Sequence, residues 1–388
     1  MEKTIKAAII FLALMIILSG CSPQGKDFEL EHIIKENYPH KLDFYFYYET
    51  SPGIGYRTAT YIFNGTSVEV APYTFWRSFA AIYPEERVRS MIGSVYRDTH
   101  GQVMIYDRVQ GYEFIVTNRQ SSDNAFKNIW TIIYIKNEQQ REIVIQTNEK
   151  GIIPEKHFLY DNTLYLFARI YDAETGATLD RIVMYQVNLC EGTYMYNTYN
   201  ISSQPLNRLD IVQMIVFNGK IYLVGIHMDA IAATYIQSRN YDNRFPFISY
   251  VVSIDINTQE INYIGYSDFL AFRVFEYKGQ VIVLKTDMHQ ENMYIDFLDT
   301  SKNIVKTIKV NIPLDKNEGE ILINNNAIAL IRLLNGDIYF TITSQTRRGR
   351  YIVIYNIENE KTSYLGFASH RNNSYRLVYV GFFFNTQN

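Results

Sequence analysis

The chain has 388 residues, a formal net charge of −3, and 47% hydrophobic against 20% charged residues. So near neutrality there is no basic face to follow a phosphate backbone, so nucleic acid is excluded as a partner, and the apolar content excludes an intrinsically disordered chain. Only two cysteines are present, Cys21 and Cys190, so stability has to come from a packed core.

Lys3 and Lys6 precede an apolar run over 7–18, which closes on Leu18-Ser19-Gly20-Cys21. The run falls short of the about 20 apolar residues that span a bilayer as a helix and has the layout of a secretory signal peptide. The four closing residues resemble the lipobox of bacterial lipoproteins, with Cys21 matching the lipidated cysteine. The resemblance implies cleavage before Cys21, a diacylglyceryl thioether on its sulfur, and a fatty-acyl anchor such as palmitate. It places the protein on the extracytoplasmic face of the cell membrane, or of the outer membrane in a diderm. With Cys21 alkylated, Cys190 has no partner and is expected to be a spectator at a turn edge. Residues 21–41 hold Pro, Gly, Gln and charges and read as a tether with one short helical turn over 27–37.

From residue 42 onward the chain is written in short segments rich in Tyr, Ile, Val and Thr, with 33 Tyr and 23 Phe against 2 Trp. Branched and aromatic side chains suit a half-buried pleated surface, so the domain 42–388 is expected to be all-β. Phe217-Asn218-Gly219-Lys220, Tyr277-Lys278-Gly279-Gln280 and Leu334-Asn335-Gly336-Asp337 each separate two apolar runs, as tight two-residue hairpins do. Tyr160-Asp161-Asn162-Thr163 and His100-Gly101 fill the same slot further back, so the turn recurs about every 60 residues. A second hairpin repeats too: 250–265 aligns without gaps with 351–366.

Each unit therefore reads as four antiparallel strands, for example 210–217, 220–227, 249–256 and 260–266. Units near 91–147, 157–199, 210–266, 271–310 and 327–367 predict five blades of a β-propeller. Joining a C-terminal strand over 374–384 to the N-terminal strands over 42–70 closes the ring as a sixth, mixed blade, or a seventh arises if 43–79 is a blade by itself. Over 42–385 the chain resembles bacterial propeller lipoproteins in general architecture. The Trp-Asp ending of WD40 blades and the paired glycines of kelch blades are missing from the repeats.

Strand alternation puts the tight turns at one end of the ring and the long loops at the other, where grafted sites belong. The longest loop, 228–248, carries Arg239, Tyr241, Asp242, Arg244 and Phe245, guanidinium and aromatic groups suited to an anionic or sugar ligand. Arg347 and Arg348, followed by Arg350, form the densest positive cluster at that end and suit phosphate or carboxylate. His227 with Asp229 and His289 with Asp287 lack a third metal ligand at fixed spacing, and 315–320 only begins like a calcium loop, so neither metal nor cofactor is expected. There is no His-Glu-x-x-His, Gly-x-Ser-x-Gly or phosphate-binding glycine loop. Ser121 to Trp130 departs from the sialidase Asp-box at Ala125. The expected function is a monomeric binding or scaffold module for a glycan, peptide or envelope protein, held to the membrane through Cys21. The alternative is a propeller enzyme, a glycosidase or lyase, with acids in the central channel.

Overall fold

The computed structural model describes residues 28–35, 42–49, 57–58, 60–63, 68–70, 75–77, 82–92, 102–120, 128–147, 151–172, 175, 177–201, 206, 209–227, 247–288, 292–299, 303–314, 319–320, 331–344, 346–347, 349–370 and 376–384. The fold is an all-β propeller. Blade one comprises Gln102–Val109, Tyr112–Gln120, Asn128–Lys136 and Gln139–Gln146, and blade two Ile152–Tyr160, Thr163–Tyr171, Thr178–Asn188 and Thr193–Asn200. Blade three comprises Leu209–Phe217, Lys220–His227, Ser249–Asp255 and Ile261–Tyr266, and blade four Phe269–Tyr277, Gln280–Asp287, Met293–Leu298 and Ile304–Val310. In blade five the innermost position is shared by Gly319–Glu320 and Arg332–Leu334, followed by Asp337–Ser344, Arg350–Asn356 and Lys361–His370. In each blade the strands pair antiparallel in chain order from the inside outward.

The turns set this order. The inner hairpins close through residues with both central φ angles positive: Gln110 and Gly111, Asp161 and Asn162, Asn218 and Gly219, Lys278 and Gly279, Asn335 and Gly336. That is the geometry whose twist matches two paired strands. The first of these is Gln110-Gly111, not the expected His100-Gly101, and Tyr112–Gln120 is the strand that follows it. The outer hairpins open on an Asx residue in four successive blades. The Oδ1 atoms of Asn188, Asp255, Asp299 and Asn356 accept backbone N–H groups two to four residues on.

Consecutive residues of the middle strands pack into different interfaces. Leu164, Leu166 and Ala168 of blade two lie against blade one, with Trp130 and Ile132, while Phe167 between them lies against blade three, with Leu223 and Val252. Blade three repeats the division, with Leu223 facing back and Val224 facing blade four. The core is thus a set of layers between blades.

Among the described residues five blades are built from contiguous sequence, not six or seven. The chain ends do pair, as Arg376–Phe384 with Leu42–Glu49, followed by Thr60–Phe63 and Val68–Val70. The rest of that region goes to a small sheet of Arg57–Thr58, Phe75–Arg77 and Ile82–Pro84 and to a helix, Glu85–Ile92. Val88, Met91 and Ile92 of this helix pack on Val103, Ile115 and Ile133, and its Arg87 holds Glu113 at 2.8 Å. A helix therefore supplies apolar cover to a face of blade one that the blade count assigned to another sheet.

A second correction falls in the expected tether. Phe28–Lys35 is a strand, not a helical turn, and pairs with Lys361–His370 from Phe28 opposite His370 to Lys35 opposite Tyr364. Leu30 and Ile34 are half-buried while Glu31, His32, Ile33 and Lys35 are exposed, so the segment suits an outer strand. His32 Nδ1 lies 3.1 Å from the Tyr364 hydroxyl. Residues 1–27, with the apolar run and Cys21, lie outside the described residues. Among the described residues no helix is long and apolar enough to cross a membrane.

Two glycine substitutions separate turn strain from packing. Gly219 has φ +69° and nothing within 4 Å of an added Cβ, whereas a Cβ on Gly265 would meet the Phe247 ring at 2.0 Å. Gly219→Ala is expected to cost about 1 kcal/mol from the backbone alone, and Gly265→Ala about 1–3 kcal/mol from overpacking. Urea midpoints of the two variants check the order, and equal losses would contradict it.

Candidate functional site at the centre of the ring

Charged residues stand inside the innermost strands, where the sheets need apolar faces. A β-bulge falls at the same place in four of them: between Val103 and Ile105, Pro154 and Lys156, Ile211 and Gln213, and Ala271 and Arg273. Such a bulge leaves one residue unpaired and re-aims its neighbours. In blades two, three and four the residue just after it is Lys156, Gln213 and Arg273, each four positions before its hairpin turn. Asp107 and Arg332, in blades one and five, stand two positions before theirs.

These side chains meet across the ring. Asp107 Oδ2 is 2.9 Å from His157 Nε2 of blade two, and Asp107 Oδ1 is 3.9 Å from Arg332 of blade five. Lys156 feels the charges of Asp210 in blade three and Arg273 in blade four. Burial would raise the Asp107 carboxyl, but the His157 hydrogen bond, the Arg332 charge and the Arg108 N–H outweigh it and hold it at about 2. Burial pushes Lys156 down, with Asp210 and Glu155 opposing.

Glu155, the bulged residue of blade two, is fixed from two sides. It accepts from Arg169 Nε at 3.0 Å and from the Tyr171 hydroxyl at 2.5 Å. Arg169 also donates to the carbonyls of Leu206 and Leu209. Burial, then Glu155, pushes the Tyr171 hydroxyl well above its ordinary value. Among the described residues no group of three or more His, Cys, Asp or Glu is arranged to hold a metal.

The loop candidates fare differently. Arg239, Tyr241, Asp242, Arg244, Phe245 and Arg348 lie outside the described residues, as do Asp229 and His289. Arg347 is described: its guanidinium reaches Glu31 at 2.7 Å and lies 3.8 Å from the Phe367 ring centroid, so it ties the N-terminal strand to blade five. His227 is fully buried, its backbone N–H on the Ile248 carbonyl, and Cys190 is exposed at a turn, 3.8 Å from the Tyr112 hydroxyl. The central cluster went unnoticed in the sequence. Aligning the inner strands on their hairpin turns would have exposed it, because that register stacks Lys156, Gln213 and Arg273.

No protein-family model matches the chain, and no curated protein matches it. Solved structures do. Cobalt-substituted ACO from Synechocystis, an apocarotenoid oxygenase, aligns with a TM-score of 0.51 at 7% identity, over 93% of this chain and 95% of that one. A threonine-to-alanine mutant of the same protein gives 0.53 at 7% identity, over 92% and 96%. A chimera built on it gives 0.52 at 7% identity, over 93% and 96%. Identity this low shows a shared fold and nothing of shared chemistry.

The Asp107 carboxyl makes the cluster visible in stability. Its folded value, about 2, lies below the ordinary 3.8, so the ionised form stabilises the fold above pH about 4. That contribution, about 2 kcal/mol, is lost as pH falls through about 2. Asp107→Asn is expected to lower stability at pH 7 by this order and to flatten the acid slope of the urea midpoint between pH 5 and 2. An unchanged slope would refute the assignment.

Proposed function

We propose that the protein is a lipid-anchored extracytoplasmic lipoprotein whose propeller binds its ligand at the centre of the ring, and that this ligand belongs to a glycan, peptide or protein of the cell envelope. The observation that carries the reading is the central cluster: five blades contribute charged side chains to one place. Asp107, His157 and Glu155 keep about a fifth of their side-chain surface exposed and Arg332 37%, so the cluster is reachable from solvent. Charges buried inside a fold for stability alone are a poor investment against apolar packing, so a cluster of this size suggests binding.

The anchor would also orient the ring. Phe28 pairs with His370 at the end of the ring where the long loops lie, and seven chain steps separate it from Cys21. At about 3.5 Å per residue the leash reaches at most about 25 Å. The loop end would thus face the membrane, and the hairpin end, nearer Arg332 and Asp107, would face away.

A second reading, an enzyme, is favoured by one observation: the Asp107–His157 pair at 2.9 Å is a carboxylate orienting an imidazole, as in general acid–base sites. The oxygenase that shares the fold shows that this scaffold carries enzymes; at 7% identity its reaction does not transfer.

Two measurements test these readings. Labelling with radioactive palmitate in the parent cell is expected to disappear in Cys21→Ala, and persistence of label would sink the lipid anchor. Incubating the full-length protein with isolated envelope fragments separates binder from enzyme. Binding predicts retention that Lys156→Ala weakens about tenfold or more, with no soluble products. Catalysis predicts time-dependent products that His157→Ala abolishes. Retention that ignores Lys156→Ala would displace the site from the ring centre.

A further inference from the structure

Arg273 is only 5% exposed, and its Nε has no hydrogen-bond partner. The charge it feels most is that of another cation, Arg332. Two other buried cations, Arg169 and Lys285, are answered within the fold. Arg169 has Glu155 and two carbonyls, and Lys285 sits 2.6 Å from Asp296. A guanidinium stays protonated at any physiological pH, and a buried charge left without a counter-ion is strongly unfavourable.

The neighbours of Arg273 are donors as well. Gln213, at the equivalent place in blade three, takes the Val274 N–H on its Oε1 at 2.8 Å, which leaves its amide N–H₂ group to donate elsewhere. Lys156, at the equivalent place in blade two, offers an ammonium. Arg332, whose side chain is 37% exposed, has Asp107 at 3.9 Å.

The charges around the centre can be read together. Lys156, Arg169, Arg273 and Arg332 are the cations, and Asp107, Glu155 and Asp210 the carboxylates, with His157 beside Asp107. Among these described side chains one positive charge is in excess, and Arg273 is the most buried cation of the set. A single carboxylate matches that excess and the fork of a guanidinium, whereas a phosphate dianion exceeds it.

We infer that the centre of the ring is a carboxylate-binding site, in which Arg273 and Arg332, with Lys156 and Gln213, take the carboxylate of an acidic ligand. The assignment rests on the ring centre being the binding site. Its failure is nevertheless separable: envelope retention that Lys156→Ala weakens, without carboxylate binding, would leave the site standing and remove only this ligand class.

The experiment is calorimetric titration of the full-length chain, in detergent at low ionic strength, with acetate, glucuronate, N-acetylalanine and inorganic phosphate. Saturable binding of a carboxylate is expected, tightest for whichever carrier, sugar acid or peptide end, fits the rest of the channel. Arg273→Met should weaken it about 100-fold and Arg332→Gln about 10-fold. Thermal melting adds a readout that a merely structural arginine would move the other way. Without ligand, Arg273→Met should melt no lower than the parent, because it removes an unanswered charge, and it should lose the upward shift that the carboxylate gives the parent. Phosphate binding tighter than every carboxylate, no carboxylate binding at 10 mM, or a ligand-free Arg273→Met that melts well below the parent would each overturn the inference.

Discussion

In the middle strands of each blade, neighbouring residues face opposite sides and both sides are apolar: Leu166 looks toward blade one, Phe167 toward blade three. A sheet with two apolar faces is not stable alone in water, and each buried aliphatic or aromatic side chain is worth about 1.5–3 kcal/mol once covered. A neighbouring sheet on either side meets that requirement. Twist makes each successive sheet turn relative to the last, so covering both faces by repetition produces a ring. At the ends of the series other material takes over: the helix Glu85–Ile92 packs on blade one, and the strand Phe28–Lys35 covers the outer edge of blade five.

The ring then decides what can become a site. Inner strands converge, so a residue at one register in several blades is brought to one level at the centre, even when the residues are more than 100 positions apart in sequence, as Lys156 and Arg273 are. The shared bulge matters because it interrupts the alternation that would otherwise bury these side chains between sheets. Lys156, Gln213 and Arg273 follow it directly. Repetition of the scaffold and variation of one position per repeat are enough to assemble a polar centre from strands that are otherwise apolar.

This division explains how much the sequence disclosed. Hairpins were legible because Asn218-Gly219 and Asn335-Gly336 need positive φ at both residues, a local demand that few residues meet. Blade boundaries followed within a few residues, as for Leu209–Phe217 and Lys220–His227. The first turn was misplaced because His100-Gly101 and Gln110-Gly111 offer the same local signal ten residues apart. The helix carries local signals: Pro84 precedes it, Glu85 and Glu86 open it, and Val88, Met91 and Ile92 have helical spacing. Two features, however, are tertiary: what the helix covers, and that the strand Phe28–Lys35 finds a partner more than 300 residues away. The central charges were hidden for the same reason, since a lone Arg in Ala271-Phe272-Arg273-Val274 has no local signature of function.

Attachment and site bear on one another through strand direction. The outer strand of blade five runs from the hairpin end at Lys361 to the loop end at His370, and Phe28 lies beside His370. Under the proposed anchor, a leash entering at the loop end would turn that end toward the membrane; at the same end Arg347 engages Glu31 of the entering strand. Arg332 and Asp107, two positions from the hairpin turns, are about 7 Å from the opposite end. An acidic ligand approaching from the aqueous side would meet the more exposed Arg332 before the buried Arg273. Burial then increases from the partly exposed Arg332 to the buried Arg273 along the direction such a ligand would take. Under the proposed anchor, tethering would add local concentration to such an encounter, so a weak single-charge contact at the ring centre would suffice for occupancy by a ligand of the same envelope.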